Sequence, residues 1–307
     1  MTPTESAILR TVLYGDVFNF ALTVPEIHHF LIADAPIPYP TILNTLETST
    51  YLKSLLTTEQ GYVVCNPRLE LIRLRQEREQ VSAQLWAQAQ QYGVWLSRLP
   101  FVRMVALTGA LAIHNPAGTT DDLDYLLVTT PNRVWLARAC SILLVRWVKR
   151  RGIVICPNYV LATTALEQGR RDLFMAREIV QMIPLYDTDI YPALRAANRW
   201  VSEYLPNANA PYYPQPARVR SQVWDALKRL AETVLGGAVG NTLERWEFER
   251  KARRFAQDLR LPSSAAQIDA EHVKGHFNDH GHPILEKYRE RLRRYQLDAE
   301  ALPIAGD

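Results

Sequence analysis

Two carboxylates, Asp122 and Asp124, stand at the head of the apolar run Tyr125-Leu126-Leu127-Val128. On a strand, side-chain alternation puts both on one side, roughly 6–7 Å apart. Carboxylates so placed can share a hard cation such as Mg²⁺. Upstream, a second apolar run, Val105-Ala106-Leu107, ends in Thr108-Gly109-Ala110. A glycine turn lets a phosphate come close to backbone N–H groups. Together these features read as a site for a Mg²⁺-bound nucleoside triphosphate. The same residues allow a plainer reading, in which Thr119-Thr120-Asp121-Asp122 is a polar turn and Asp124 lies on a solvent face.

The charge pattern downstream favours phosphate chemistry. From Pro131 to Arg177 nine basic residues face two acidic ones, Glu167 and Asp172, a net of +7 in a chain of +3. Arginines pair with phosphates in forked geometry, and a basic wall would steer a triphosphate toward the metal. Arg133 and Arg138, on the helix expected after the acidic strand, are the phosphate candidates. Lys149-Arg150-Arg151 reads more simply as a solvated helix end, where cations favour the macrodipole.

These residues need three strands to position them. They are Val102 to Leu107, the run led by Asp122-Leu123-Asp124, and, after a helix, Ile153 to Leu161. An apolar strand, a glycine turn, a spacer and Asp-apolar-Asp on the next strand resemble the nucleotidyltransferases with the DNA polymerase beta-type fold. By that resemblance Asp122 and Asp124 hold two Mg²⁺ ions, and Thr108, Gly109 and Ala110 take the phosphate turn. Ala110 stands where Ser or Gly is usual, and Asn158 aligns with a third carboxylate. The resemblance implies transfer of a nucleoside monophosphate from an NTP to an acceptor, which could be a small molecule, an RNA end or a protein. A neutral Asn158 also admits an inactive fold-mate that binds a nucleotide or a protein partner.

The expected architecture is α+β. A small mixed-sheet nucleotidyltransferase core (99–205) is flanked by a winged-helix-like module (1–66), a connecting helix (67–98) and a helical C-terminal region (217–307). In the module, Ser6 to Phe18 has helical spacing, and Thr23-Val-Pro-Glu26 is a capping box. A third helix starts near Tyr39-Pro40, and a Glu59-Gln60-Gly61 turn joins two hairpin strands. That layout resembles a winged helix, which raises a transcription regulator with a ligand-sensing domain as a further reading. Charge opposes DNA binding. Two basic residues face six acidic ones up to Asn66, and Tyr39 to Glu47 carries no Lys or Arg.

Helices are also expected over Arg170 to Met182, Ala193 to Leu205, Val219 to Leu235, Leu243 to Leu259 and Pro283 to Tyr295, with Gly236 to Gly240 bending or capping the run. Four of seven histidines fall between His272 and His282. They allow a zinc site from His272 and His276 at helical spacing, a loop that brings His276 or His280 to substrate, or an ordinary polar loop. Three cysteines, odd in number and unevenly spaced, make no disulfide framework. The polar start, Met1 to Ser6, lacks a secretory leader's pattern, and Val134 to Val148 is too short and too charged to span a bilayer. A cytoplasmic protein without membrane contact is expected.

Overall fold

The chain enters its first helix through a capping box one turn earlier than the apolar spacing predicts. Thr2 accepts from Glu5 N while Glu5 accepts from Thr2 N, which starts α1 (Pro3–Val17). The structure, a computed structural model, describes residues 1–213, 216, 221–255, 267–274 and 281–297. After α1 come β1 (Leu22–Thr23), α2 (Val24–His29), α3 (Tyr39–Thr48), α4 (Thr50–Leu55), β2 (Leu56–Glu59) and β3 (Tyr62–Cys65). The expected Thr23–Glu26 capping box forms at α2. Helix α4 was not expected; Ser49 caps it by accepting from Leu52 N at 3.0 Å. The three strands form one antiparallel sheet in the order β1-β3-β2.

The long helix α5 (Glu70–Ser97) leads into β4 (Val102–Leu107), the short α6 (Gly109–Ala112), β5 (Leu123–Thr129), α7 (Val134–Lys149) and β6 (Ile155–Ala162). Then follow α8 (Leu173–Gln181), β7 (Ile183–Tyr186) and α9 (Ile190–Ala197). The second half holds α10 (Gln222–Gly236), α11 (Ala238–Phe255), β8 (Gln267–Ile268), β9 (His272–Lys274) and α12 (Gly281–Arg294). Six strands make a mixed sheet in the order β7-β4-β5-β6-β9-β8, with β5 and β6 parallel and the other neighbours antiparallel. Among the described residues the protein is α+β, with twelve α-helices, a three-stranded antiparallel sheet and a six-stranded mixed sheet.

Three expectations need correction. The helix read over Ala193 to Leu205 breaks at Asn198, whose side chain donates to Leu166 O and Leu194 O and accepts from Gln168 N; a 3₁₀ turn (Arg199–Glu203) follows. The C-terminal region is not purely helical, because β8 and β9 extend the large sheet. His272 is therefore a strand residue and cannot pair with His276 on a helix; His276 and His280 lie outside the described residues.

Helices cover both faces of the large sheet. On one face Leu96, Leu107, Tyr125, Trp135 and Val160 form a core under α5, α7 and α11. On the other, Met104, Leu126, Ile179 and Tyr288 share a continuous apolar cluster with Leu9, Leu13 and Phe30 of the N-terminal residues. The N-terminal 66 residues thus pack into the same core as α8 and α12. Among the described residues no helix is long and apolar enough to cross a membrane.

Candidate functional site

Strand β5 presents its acidic pair as alternation requires. Leu123 and Tyr125 are fully buried in the α5–α7 core, and Tyr125 Oη donates to Ala89 O at 2.9 Å. Asp122 and Asp124 therefore face the other way. Asp122 is exposed at the strand's mouth and Asp124 is half-buried beneath it. Asp121 belongs to the loop, accepting from Ala117 N at 2.8 Å.

The glycine turn closes against this pair. Thr108 N donates to Asp124 O at 3.0 Å, which ties the end of β4 to β5. Gly109 follows with φ +67, where side chains are disfavoured. A Cβ there would overlap Asp124 Oδ2 and lie 3.2 Å from its Cβ and Cγ. Ala110 is exposed and its carbonyl accepts from Asn115 N.

A register shift on β6 brings the third strand to the pair. Cys156 is level with Asp124, but Tyr159 rather than Asn158 is level with Leu126. The extra residue follows Pro157, which has no N–H for the ladder. Consecutive residues Asn158 and Tyr159 consequently line one cavity, which strict alternation would forbid. Asn158 Nδ2 donates to Asp124 Oδ1. Asp122, Asp124 and Cys156 offer ligand atoms within 4.8 Å of one another.

The cavity beside Asp124 and Gly109 has a volume of about 250 Å³. One wall is apolar, with Phe174, Met175, Ile179 and Met182 from α8 and its C-terminal end. Its polar lining comes from Thr108, Asn158, Gln168, Arg170, Glu178 and Lys274. Arg170 pairs with Asp172, the N-cap of α8, and Lys274 Nζ lies 5.9 Å from the Tyr159 ring centroid.

Crowded negative charge marks the site. Burial, then the carboxylates of Asp122, Glu178 and Asp121, push the Asp124 carboxyl up to about 7, against the hydrogen bond from Asn158. Burial also lifts Glu178 to about 7, opposed by Lys274, Arg177 and a hydrogen bond from Gln181. Burial and the hydrogen bond to Asp122 raise the Cys156 thiol to about 12, so it sits in the site as a neutral S–H.

Of the residues singled out by sequence, Thr108, Gly109, Asp124 and Asn158 meet at the cavity, with Asp122 beside them. Arg133 and Arg138 do not. Arg133 follows the opposite end of β5, about 20 Å away at the usual strand rise. Its guanidinium donates to Gly236 O at 2.6 Å and lies 5.3 Å from the Phe101 ring. Arg138 is half-buried beside Glu247 and Arg250 of α11, and burial lowers its pKa. The cations at the cavity are instead Arg170, which the charge count included, and Lys274, which it did not. Glu178 and Cys156 were also missed, because each lies in a segment that reads as ordinary amphipathic helix or apolar strand.

No family model matches the chain, and neither a curated protein nor a solved structure matches it.

Proposed function

We propose that this chain is a Mg²⁺-dependent nucleotidyltransferase that moves a nucleoside monophosphate from an NTP to an acceptor. The observation that carries the proposal is the meeting of Asp122, Asp124 and Asn158 with the Thr108–Gly109 turn at the mouth of one cavity. Two carboxylates on one strand face, Asp124 pressed against a glycine that leaves room only for backbone, suit a metal-bound triphosphate better than a solvated turn does.

The donor set fits one Mg²⁺ ion. Asp122 and Asp124 supply hard oxygens, and a divalent cation would offset the burial and neighbouring carboxylates that raise Asp124 toward 7. It fits the expected second ion poorly. Among the described residues the only other Cys, His or acidic ligand atom of this group is the Cys156 sulfur, a soft donor Mg²⁺ disfavours. When bound, the ion would neutralise phosphate charge and make the acceptor oxygen more nucleophilic. The remaining work falls to the chain. Gly109 lets phosphate oxygens approach the backbone, while Arg170 and Lys274 set positive charge on the cavity wall. Phe174, Met175 and Ile179 make one wall apolar, which suits a base or a small acceptor.

Asn158 favours a second reading, a nucleotide binder without turnover. Its neutral amide donates to Asp124, where a third carboxylate would help hold metal or take a proton. NTP labelled at the α-phosphate separates the two. Metal-dependent transfer of label to a small-molecule pool, lost in Asp122→Asn, supports the enzyme. Tight binding with no transfer supports the silent form.

The N-terminal residues have a winged helix's order of helices and strands, and we assign them a packing role. Their fixed contacts to the rest of the chain support it. Arg291 pairs with Asp16 at 2.6 Å, Tyr288 Oη donates to Arg10 O, and Asn207 bridges His28 O and Ile37 O. Helix α3 carries no Lys or Arg for phosphates.

A further inference from the structure

Surface helices turn apolar residues inward and polar ones to water. Helix α10 instead leaves an apolar row in water. It buries no residue, and polar groups hold it to the large sheet and α5. Lys228 Nζ donates to Ser97 O and Val102 O at 2.7 and 2.6 Å, while Glu232 accepts from Phe101 N and Arg103. These two residues are four apart and share the inner face. Val223, Leu227, Leu230 and Val234 lie on the opposite face, 68, 48, 62 and 63% exposed. Their spacing of four, three and four residues is that of a helix-pairing seam.

We propose that this seam pairs antiparallel with the same seam of a second copy, about a two-fold axis. The order Val-Leu-Leu-Val reads the same in both directions. Reversal therefore sets Val223 against Val234 and Leu227 against Leu230, the self-complementarity that an isologous interface requires. Ala226 and Ala231 flank the seam and are exchanged by the same reversal, so the helices can approach closely and no like charges meet. Helix α11, joined to α10 by a turn at Gly237, carries another exposed row, Val239, Leu243 and Trp246. The two rows together expose on the order of 700 Å², close to what each partner gives a standard-size interface. A lipid surface is a poorer fit, because the charges of Asp225, Lys228, Arg229 and Glu232 cancel.

Sedimentation of the full chain across micromolar concentrations tests the pairing. The wild type should reach twice the monomer mass, and Leu227→Glu/Leu230→Glu should halve it with an unchanged circular dichroism spectrum. A cysteine cross-link fixes direction, in a Cys140→Ser/Cys156→Ser background. Val223→Cys mixed with Val234→Cys should link copies, and neither should link alone. A wild type that stays monomeric, a dimer indifferent to the glutamates, or either cysteine variant linking with itself would overturn the proposal.

Discussion

Replacing Gly109 by Ala puts a methyl where the Asp124 carboxylate stands. At φ +67 the backbone disfavours any Cβ, at a cost of ~1–2 kcal/mol. The new carbon also overlaps Asp124 Oδ2 and lies 3.2 Å from Cβ and Cγ; forcing a methyl into an occupied site costs typically ~1–3 kcal/mol. The two effects sum to ~2–5 kcal/mol. They separate in an Asp124→Ala background, where the carboxylate is gone and mainly the backbone cost of ~1–2 kcal/mol remains. The four proteins form a double-mutant cycle with a coupling of ~1–3 kcal/mol. Urea unfolding followed by tryptophan fluorescence reads it. Equal cost in both backgrounds, or a loss below ~0.5 kcal/mol in the wild type, would refute the close contact between turn and carboxylate.

Other consequences are open to the same methods. Asp124 titrates near 7 when folded and near ~3.9 unfolded. The unfolded chain thus loses this proton first, and the group lowers stability progressively as pH rises between those values. Asp124→Asn should therefore gain on the wild type over that range, by on the order of 2–4 kcal/mol above neutrality, as pH-dependent urea curves would show. Glu26 and Arg75 form a buried pair at 2.9 Å, each side chain 3% exposed. Arg75 keeps its second carboxylate, Glu79, at 2.6 Å, so Glu26→Ala should cost less in urea unfolding than the ~3–5 kcal/mol of an orphaned buried charge. Arg133→Ala should lose its bond to Gly236 O and lower stability, yet leave NTP affinity unchanged in a binding titration. An affinity loss there would return Arg133 to the phosphate site.

The sequence carried the fold where local signals and tertiary structure agree. The capping box at Thr23, the helix α5 and the strand–glycine–strand order around Asp124 were all legible. Each is fixed by neighbours in the chain. The cavity's other wall was not legible, because it depends on register and on segments far apart in sequence. Lys274 reaches the cavity only because three residues, His272 to Lys274, add to the edge of β6, and a strand that short has no periodic signature. Glu178 sits on an amphipathic helix whose facing partner the sequence does not name. Arg133 was placed wrongly for a geometric reason: the residue after a strand lies at the strand's far end. Pro157, which has no N–H for the ladder, was the readable clue that Asn158 leaves the regular alternation.

The central claim is that Asp122 and Asp124 hold the metal that binds an NTP. Calorimetric titration of Mg²⁺–NTP into the wild type and into Asp122→Asn/Asp124→Asn, at a pH above the Asp124 titration, tests it most directly. The account predicts metal-dependent binding to the wild type that the double variant loses. Binding that survives both metal removal and the double substitution, or no binding to the wild type at all, would contradict it.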